Sequence, residues 1–228
     1  MTNERKRKVV FIPGLGFDSR IFENLELPNS DKEYLNWIEP NKNENLHDYS
    51  LRLFEKYKDS KEEFILIGHS LGGIVAQEIA AVYPIQKVIL ISSIKSREEL
   101  PFHFKVLKFF RLDRLLTKRL CVKSVKYWGK NHGFNTPEDR ELFKSMVSRQ
   151  SNFYLKWALR QLTLWRGVKL KPHTKLIHIH GTNDKTLLFK SIKNPDFIIE
   201  NGSHFMVYKR PEEVSKIISK FVRNDPII

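Results

Sequence analysis

The sequence predicts an α/β protein: a mostly parallel six-stranded sheet with helices on both faces and an α-helical insertion. Short apolar runs rich in Val and Ile recur along the chain, most of them followed by a turn and then a helical pattern, as buried parallel strands joined by crossovers require. The alternation stops only between Arg97 and Pro172, where several helical stretches and no convincing strand can be read. The expected organisation is therefore a core formed by residues 1–96 and 173–228, interrupted by a helical lid at 97–172 after the fourth strand.

The six runs are Lys8 to Ile12, Glu33 to Ile38, Glu63 to Ile67, Lys87 to Ile91, Lys175 to Ile179 and Asp196 to Ile199. A helix is expected near Asp18 to Leu25, and another over Asp48 to Lys58, where Leu51, Phe54 and Tyr57 recur at helical spacing. A third starts right after Ser70 and runs through Ile74, Val75 and Ile79 to about Tyr83, where Pro84 prevents continuation. The last opens at Pro211-Glu212-Glu213, with proline and acidic residues in the first turn, and shows Val214, Ile217, Ile218 and Phe221 on one face.

The chemistry concentrates where the third run ends. Gly68-His69-Ser70-Leu71-Gly72 is a G-x-S-x-G pentapeptide between a strand and a helix, the context in which a sharp turn lifts a serine hydroxyl above a sheet. Side chains two positions either side would collide with the crossing backbone, so glycine stands at both. A serine nucleophile needs a base, and the base needs an orienting carboxylate. Asp184 follows the fifth run in His180-Gly181-Thr182-Asn183-Asp184, and His204 follows the sixth in Asn201-Gly202-Ser203-His204. All three fall at the carboxyl ends of strands, where active sites of parallel sheets form.

With these motifs the chain resembles the α/β-hydrolase superfamily, in particular small lid-bearing serine esterases, over nearly its whole length. The resemblance implies a Ser70, Asp184 and His204 catalytic triad acting through an acyl-enzyme. In the family the residue after the first glycine of a His-Gly-x-Gly loop donates an N–H to the oxyanion; Pro13-Gly14-Leu15-Gly16 occupies that place, so the implied donors are the backbone amides of Leu15 and Leu71. Pro13 stands where the family usually has histidine, no His-Gly-Gly-Gly run is present, Asp184 and His204 are only 20 residues apart, and the family's first two antiparallel strands are missing. The implied activity is cleavage of a carboxylic ester or thioester, without cofactor or metal. Acyl transfer or other chemistry with the same triad is the alternative, as is a non-catalytic homologue that binds a small molecule.

Other readings of the same residues stay open at this level. Ser70 could serve as a helix N-cap, Asp184 as a turn residue, and His204 as a loop histidine capping the next helix. Glu98 and Glu99, after the fourth run, are substitute acids. His178 and His180 alternate on one side of a strand, a spacing two metal ligands could use, but no third ligand accompanies them. His69 reads as a neighbour packed beside Ser70, and Cys121 as a small buried apolar residue.

Charge narrows the partners. The chain of 228 residues carries 40 Lys and Arg against 26 Asp and Glu, a net charge of +14. A hydrophobic fraction of 41% excludes wholesale disorder, and a single cysteine cannot form an intramolecular bridge. With no signal peptide or membrane-length apolar run legible, a cytoplasmic protein is expected. Residues 97–172 hold 18 Lys and Arg and 6 Asp and Glu, leaving about +2 for the rest, and interleave 12 aromatic residues from Phe102 to Trp165. Such an insertion suits an acyl pocket on one side and something acidic on the other, an anionic surface under the basic amphipathic segment Phe102 to Leu120 being one form; the resemblance to family esterases that cleave carrier-bound acyl groups implies another, an acidic carrier protein docked on the lid. Nucleic acid is disfavoured because no recognition motif accompanies the charge.

Overall fold

The computed structural model describes residues 7–28 and 30–222. The leading residues, read above as lacking a signal peptide, lie largely outside that range. Strands β1 (Arg7–Ile12), β2 (Ser30–Tyr34), β3 (Phe64–His69), β4 (Lys87–Ile91), β5 (Lys175–Gly181) and β6 (Phe197–Ile199) form one sheet in the order β2-β1-β3-β4-β5-β6. Every neighbouring pair is parallel. The helices are α1 (Leu46–Phe54), α2 (Leu71–Val82), α3 (Phe102–Phe109), α4 (Lys118–His132), α5 (Pro137–Ser148), α6 (Asn152–Leu164), α7 (Met206–Lys209) and α8 (Pro211–Val222).

Burial explains the strand composition. Phe64 to Ile67 of β3 and Val88 to Ile91 of β4 are buried throughout, as central strands covered on both faces must be, and each such aliphatic side chain contributes roughly 1.5–3 kcal/mol. Helix α2 crosses against β1, β3 and β4, with α1 packed beside it. It is apolar nearly all round, with Leu71, Ile74, Val75, Ala76, Ile79 and Ala80 buried. The amphipathic α8 buries Val214, Ile218 and Val222 and sets Phe221 edge-on against Phe197 of β6.

The chain runs outward from β1 to β2 and then returns to the other side of β1 for β3, so the direction of winding switches between β1 and β3. A crevice opens outside the carboxyl ends of strands at such a point. The loop after β1 carries Leu15 and the turn after β3 carries Ser70, one on each side of it.

Two elements differ from expectation, and a third agrees with the short spacing noted above. The second strand pairs at Ser30–Tyr34 rather than Glu33–Ile38, because the register with β1 sets Ser30 against Arg7 and Tyr34 against Phe11. The segment near Asp18 forms only a 3-10 turn, Ser19–Phe22, capped by the Asp18 carboxylate. Between Asp184 and His204 there is no α-helix, only a 3-10 turn at Phe189–Ser191, which accounts for the short interval. Residues 97–172 contain α3 to α6 and no strand.

Candidate active site

Ser70 lies between β3 and α2 with φ 52° and ψ −120°, a backbone conformation that L-residues rarely adopt and that persists only where the surroundings impose it. They do so through the main chain. The Ser70 amide donates to the Ile91 carbonyl at 3.0 Å, and its carbonyl accepts from the Gly73 amide at 3.0 Å and from Ser93 Oγ at 2.7 Å. A Cβ at Gly68 would run into the Gly72 carbonyl, and one at Gly72 into the carbonyls of Ile12 and Pro13. The glycines thus let the turn close against β1. The Ser70 hydroxyl does not cap α2.

That hydroxyl instead faces His204, with Nε2 at 3.1 Å from Ser70 Oγ. On the far side of the ring, Nδ1 lies 2.8 Å from Asp184 Oδ2. Asp184 Oδ1 accepts from the amides of Thr186 and Leu187 at 2.8 and 2.9 Å. Burial alone would raise the Asp184 carboxyl, but the charge and hydrogen bond of His204, with His180 and the Leu187 amide, outweigh it and hold the group below the usual carboxylate range. An ionised Asp184 accepts a hydrogen bond from Nδ1–H of His204, which keeps the proton on Nδ1 and leaves Nε2 free to accept from Ser70. The two loops are fastened to each other, since the Asn183 amide donates to the Gly202 carbonyl at 3.0 Å.

The loop after β1 turns through Gly14, whose carbonyl accepts from the Phe17 amide at 3.0 Å and from Trp37 Nε1 at 2.9 Å. Leu15 sits inside that turn, half-buried. The Leu71 amide belongs to the first turn of α2, whose N–H groups have no carbonyl four residues back within the helix. The Leu71 amide therefore stands at the positive end of α2.

Histidines outside the Ser70, His204 and Asp184 chain brace it. His69 Nε2 donates to the His204 carbonyl at 2.9 Å, and burial pushes its imidazole down to about 3, so it stays neutral. His180 Nε2 donates to the Leu187 carbonyl at 2.8 Å and approaches Asp184 Oδ2 at 3.4 Å. His180 Nδ1 then accepts from His178 Nε2 at 3.3 Å. This pair faces inward as a buried support, and no group of three or more His, Cys, Asp or Glu among the described residues is arranged to hold a metal ion. Glu99 is buried on the amides of Lys95 and Lys193, at 2.6 and 2.9 Å, and is committed there. Of the carboxylates considered, the structure brings Asp184 to His204.

Sequence reading passed over several neighbours. His132 of α4 bonds Thr186 Oγ1 at 2.6 Å, beside Asp184. Tyr154 of α6 is buried against Trp37, with its hydroxyl near the Gly16 amide but outside good hydrogen-bond geometry. Phe17, Phe134, Phe143, Phe205 and Trp128 form one aromatic cluster joining the loop after β1, the His204 loop, α4 and α5. Their letters gave aromatic content but not which rings would turn inward. Cys121 is half-buried in α4, away from this chemistry.

Chemically, this is a hydroxyl whose proton can pass to an imidazole held in one tautomer by an ionised carboxylate, next to a helix N-terminus that favours negative charge. The comparisons with known proteins agree with the fold. A pimeloyl-[acyl-carrier protein] methyl ester esterase from Wigglesworthia glossinidia brevipalpis is 26% identical over an alignment of 263 positions, covering 94% of this chain and 93% of that protein. Among solved structures, a thermophilic esterase is 23% identical with a TM-score of 0.63, covering 96% of this chain and 90% of that one. MenH from S. aureus is 20% identical with a TM-score of 0.67, covering 97% and 95%. At these identities the two structures share the fold. The model of the alpha/beta hydrolase family matches residues 9–217, nearly the whole described chain, so the protein belongs to the alpha/beta hydrolase family, with esterases among its relatives.

Proposed function

We propose that the protein hydrolyses carboxylic esters or thioesters through an acyl-enzyme formed on Ser70. The observation that carries this reading is the continuous Asp184, His204 and Ser70 chain, at 2.8 and 3.1 Å, ending on a serine in a strained turn. His204 Nε2 takes the Ser70 proton as Oγ attacks the acyl carbon, and the amides of Leu15 and Leu71 receive the oxyanion. The tetrahedral intermediate expels the alcohol or thiol, which leaves with the proton from His204. A water then gives its proton to His204 and attacks the acyl carbon, releasing the acid and restoring Ser70. Asp184 stays ionised throughout, fixing the tautomer and stabilising the imidazolium. Residues 97–172 act in this reading as a lid whose inner aromatic rings border the acyl group.

A fluorophosphonate probe and a panel of esters of varied acyl length test it. Wild type should label and hydrolyse, and Ser70→Ala should do neither. No labelling and no hydrolysis by folded wild type would favour a ligand-binding homologue, and equal hydrolysis in both would remove Ser70 as nucleophile.

A carrier-linked substrate is the narrower form of this reading, suggested by the basic insertion and by the name of the Wigglesworthia relative. It predicts faster hydrolysis of a carrier-linked ester than of the free ester, with the advantage fading as salt rises. Equal rates at all salt concentrations would remove it.

A further inference from the structure

The outer part of the insertion is built unlike the rest of the surface. Between Phe102 and Lys130 there are nine Lys and Arg and one acid, Asp113. None of the nine forms an ion pair among the described residues. The same stretch displays most of the large apolar side chains that face solvent in the described residues: Phe102 at 75%, Phe109 at 80%, Phe110 at 64%, Leu115 at 66% and Tyr127 at 76% exposure, with Leu112 and Leu120 beside them.

In α3 the two sets share one face, and the 3-10 turn that follows packs beside it. In α3, Phe102, Lys105 and Phe109 recur at i, i+3 and i+7 and share a face, while Phe104 on the opposite face is buried. Arg111, at φ 52°, turns the chain straight after Phe110 into a 3-10 turn over Leu112–Leu115 that buries none of its residues. Below this arm, Arg97, Leu100, Lys105, Lys108, Phe109 and Thr163 line a groove of about 310 Å3, three cations around an apolar floor. The arm is anchored through α4, whose far end bonds the Asp184 loop by His132 and packs Gly133 against Ser203 and Phe205.

We propose that the arm from Phe102 to Leu115 docks the protein on an anionic lipid surface, with its exposed rings at the headgroup boundary and its cations among the headgroups. Unpaired cations supply the electrostatic attraction, and apolar rings on the same face supply the area that enters the interface. A second copy of this chain would set the same unpaired cations against themselves. Lysine, the commonest cation of the stretch, is depleted at protein interfaces, whereas cations beside exposed rings are the composition of a membrane-surface segment, so a lipid occupant competes with the carrier-protein reading of the same insertion. Docking by this arm brings the surface alongside the helix that packs over the His204 loop. It concerns binding and holds whether or not the hydrolase reading does.

Sedimentation with vesicles tests it, comparing phosphatidylcholine alone with phosphatidylcholine containing one third phosphatidylglycerol. The full chain should sediment with the anionic vesicles only, and high salt should release it. Phe109→Ser with Phe110→Ser keeps the charge and alters only exposed side chains, and should weaken binding about tenfold. Lys105→Gln with Arg111→Gln and Arg114→Gln should weaken it by about a further order of magnitude. Ser70→Ala should bind as wild type, which separates this result from the fate of the hydrolase reading. No sedimentation with anionic vesicles, equal sedimentation with neutral ones, unchanged binding by the phenylalanine variant, or binding to an acidic acyl carrier protein in place of vesicles would each overturn the proposal.

Discussion

Around Ser70, at the carboxyl edge of the sheet, side chains are held from two or three directions: Asp184 by two amides and an imidazole, His204 by Asp184 and His69, and the Ser70 carbonyl by Ser93. In the outer insertion nine cations stand without an ion pair among the described residues, and Phe102 and Phe109 face solvent. The first region carries almost none of the net charge and the second most of it. One chain thus separates a site that depends on fixed distances from a surface that depends on sign and exposed area. A substitution in the first should act through geometry, and one in the second through attraction.

The sharpest way to break that division is at Ser70. Ser70→Ala should lower kcat by about 10⁴-fold or more with little change in KM, because the lost interaction exists only along the reaction path. Asp184→Asn should lower kcat by about 10³–10⁴-fold, since the amide can donate to Nδ1 and stabilise the wrong tautomer. Steady-state kinetics on one short ester measure both. If Asp184→Asn retained most of the activity, Asp184 would not be setting the tautomer.

Backbone closeness should matter nearly as much. Gly72→Ala places a Cβ against the carbonyls of Ile12 and Pro13, which belong to the rigid end of β1, and should destabilise the fold by more than about 2 kcal/mol in urea unfolding. A comparable change on the insertion, such as Leu115→Ala on an exposed side chain, should stay within about 0.5 kcal/mol.

Acid should find the sheet edge before the insertion. Burial holds His69 and His178 down to about 3, from an ordinary value of 6.5. The unfolded chain takes up protons at these positions as pH falls through 6.5, while the folded chain does not. Their contribution is therefore full above about pH 6.5 and is lost toward pH 3, at up to about 1.4 kcal/mol per pH unit for each imidazole. His178→Leu should give a shallower decline of stability than wild type between pH 7 and 5. Identical slopes would mean that His178 takes up its proton in the folded state.

How much of this could be read beforehand depends on whether the signal was local. The Ser70 turn was legible because a strand, two glycines and a helix start lie within ten residues, and Asp184 and His204 because each follows an apolar run. The second strand was misplaced because Leu35, Trp37 and Ile38 look like strand residues. The Leu35 amide still donates to the Phe11 carbonyl of β1 at 2.9 Å, but beyond it Trp37 donates to the Gly14 carbonyl and the Ile38 carbonyl accepts from Tyr49, so residues past Leu35 pack over the loop after β1 instead of joining the sheet. The braces at His69, His132 and Ser93 depend on contacts 135, 54 and 23 residues away in sequence, and no local pattern announces them. The charge of the insertion was plain from composition. Which rings turn in, as Phe134 and Phe143 do, and which stay out, as Phe109 and Phe110 do, needed the fold.

The smallest expected effect lies where the two regions meet. Tyr154 reaches from α6 of the insertion into the core beside Trp37, and its hydroxyl is buried near the Gly16 amide without reaching good hydrogen-bond geometry. A buried hydroxyl that has given up water for at most a poorly aligned amide contributes a penalty rather than stability, while its ring contributes ordinary apolar burial. Tyr154→Phe removes the penalty and keeps the ring, so it should leave the urea midpoint unchanged or raise stability by up to about 1 kcal/mol. If it instead destabilised the protein by more than that, the hydroxyl would have a partner in solution. The insertion would then be tied to the loop after β1 by a polar contact as well as by packing, and the division between the two regions would be less complete at α6 than at α3.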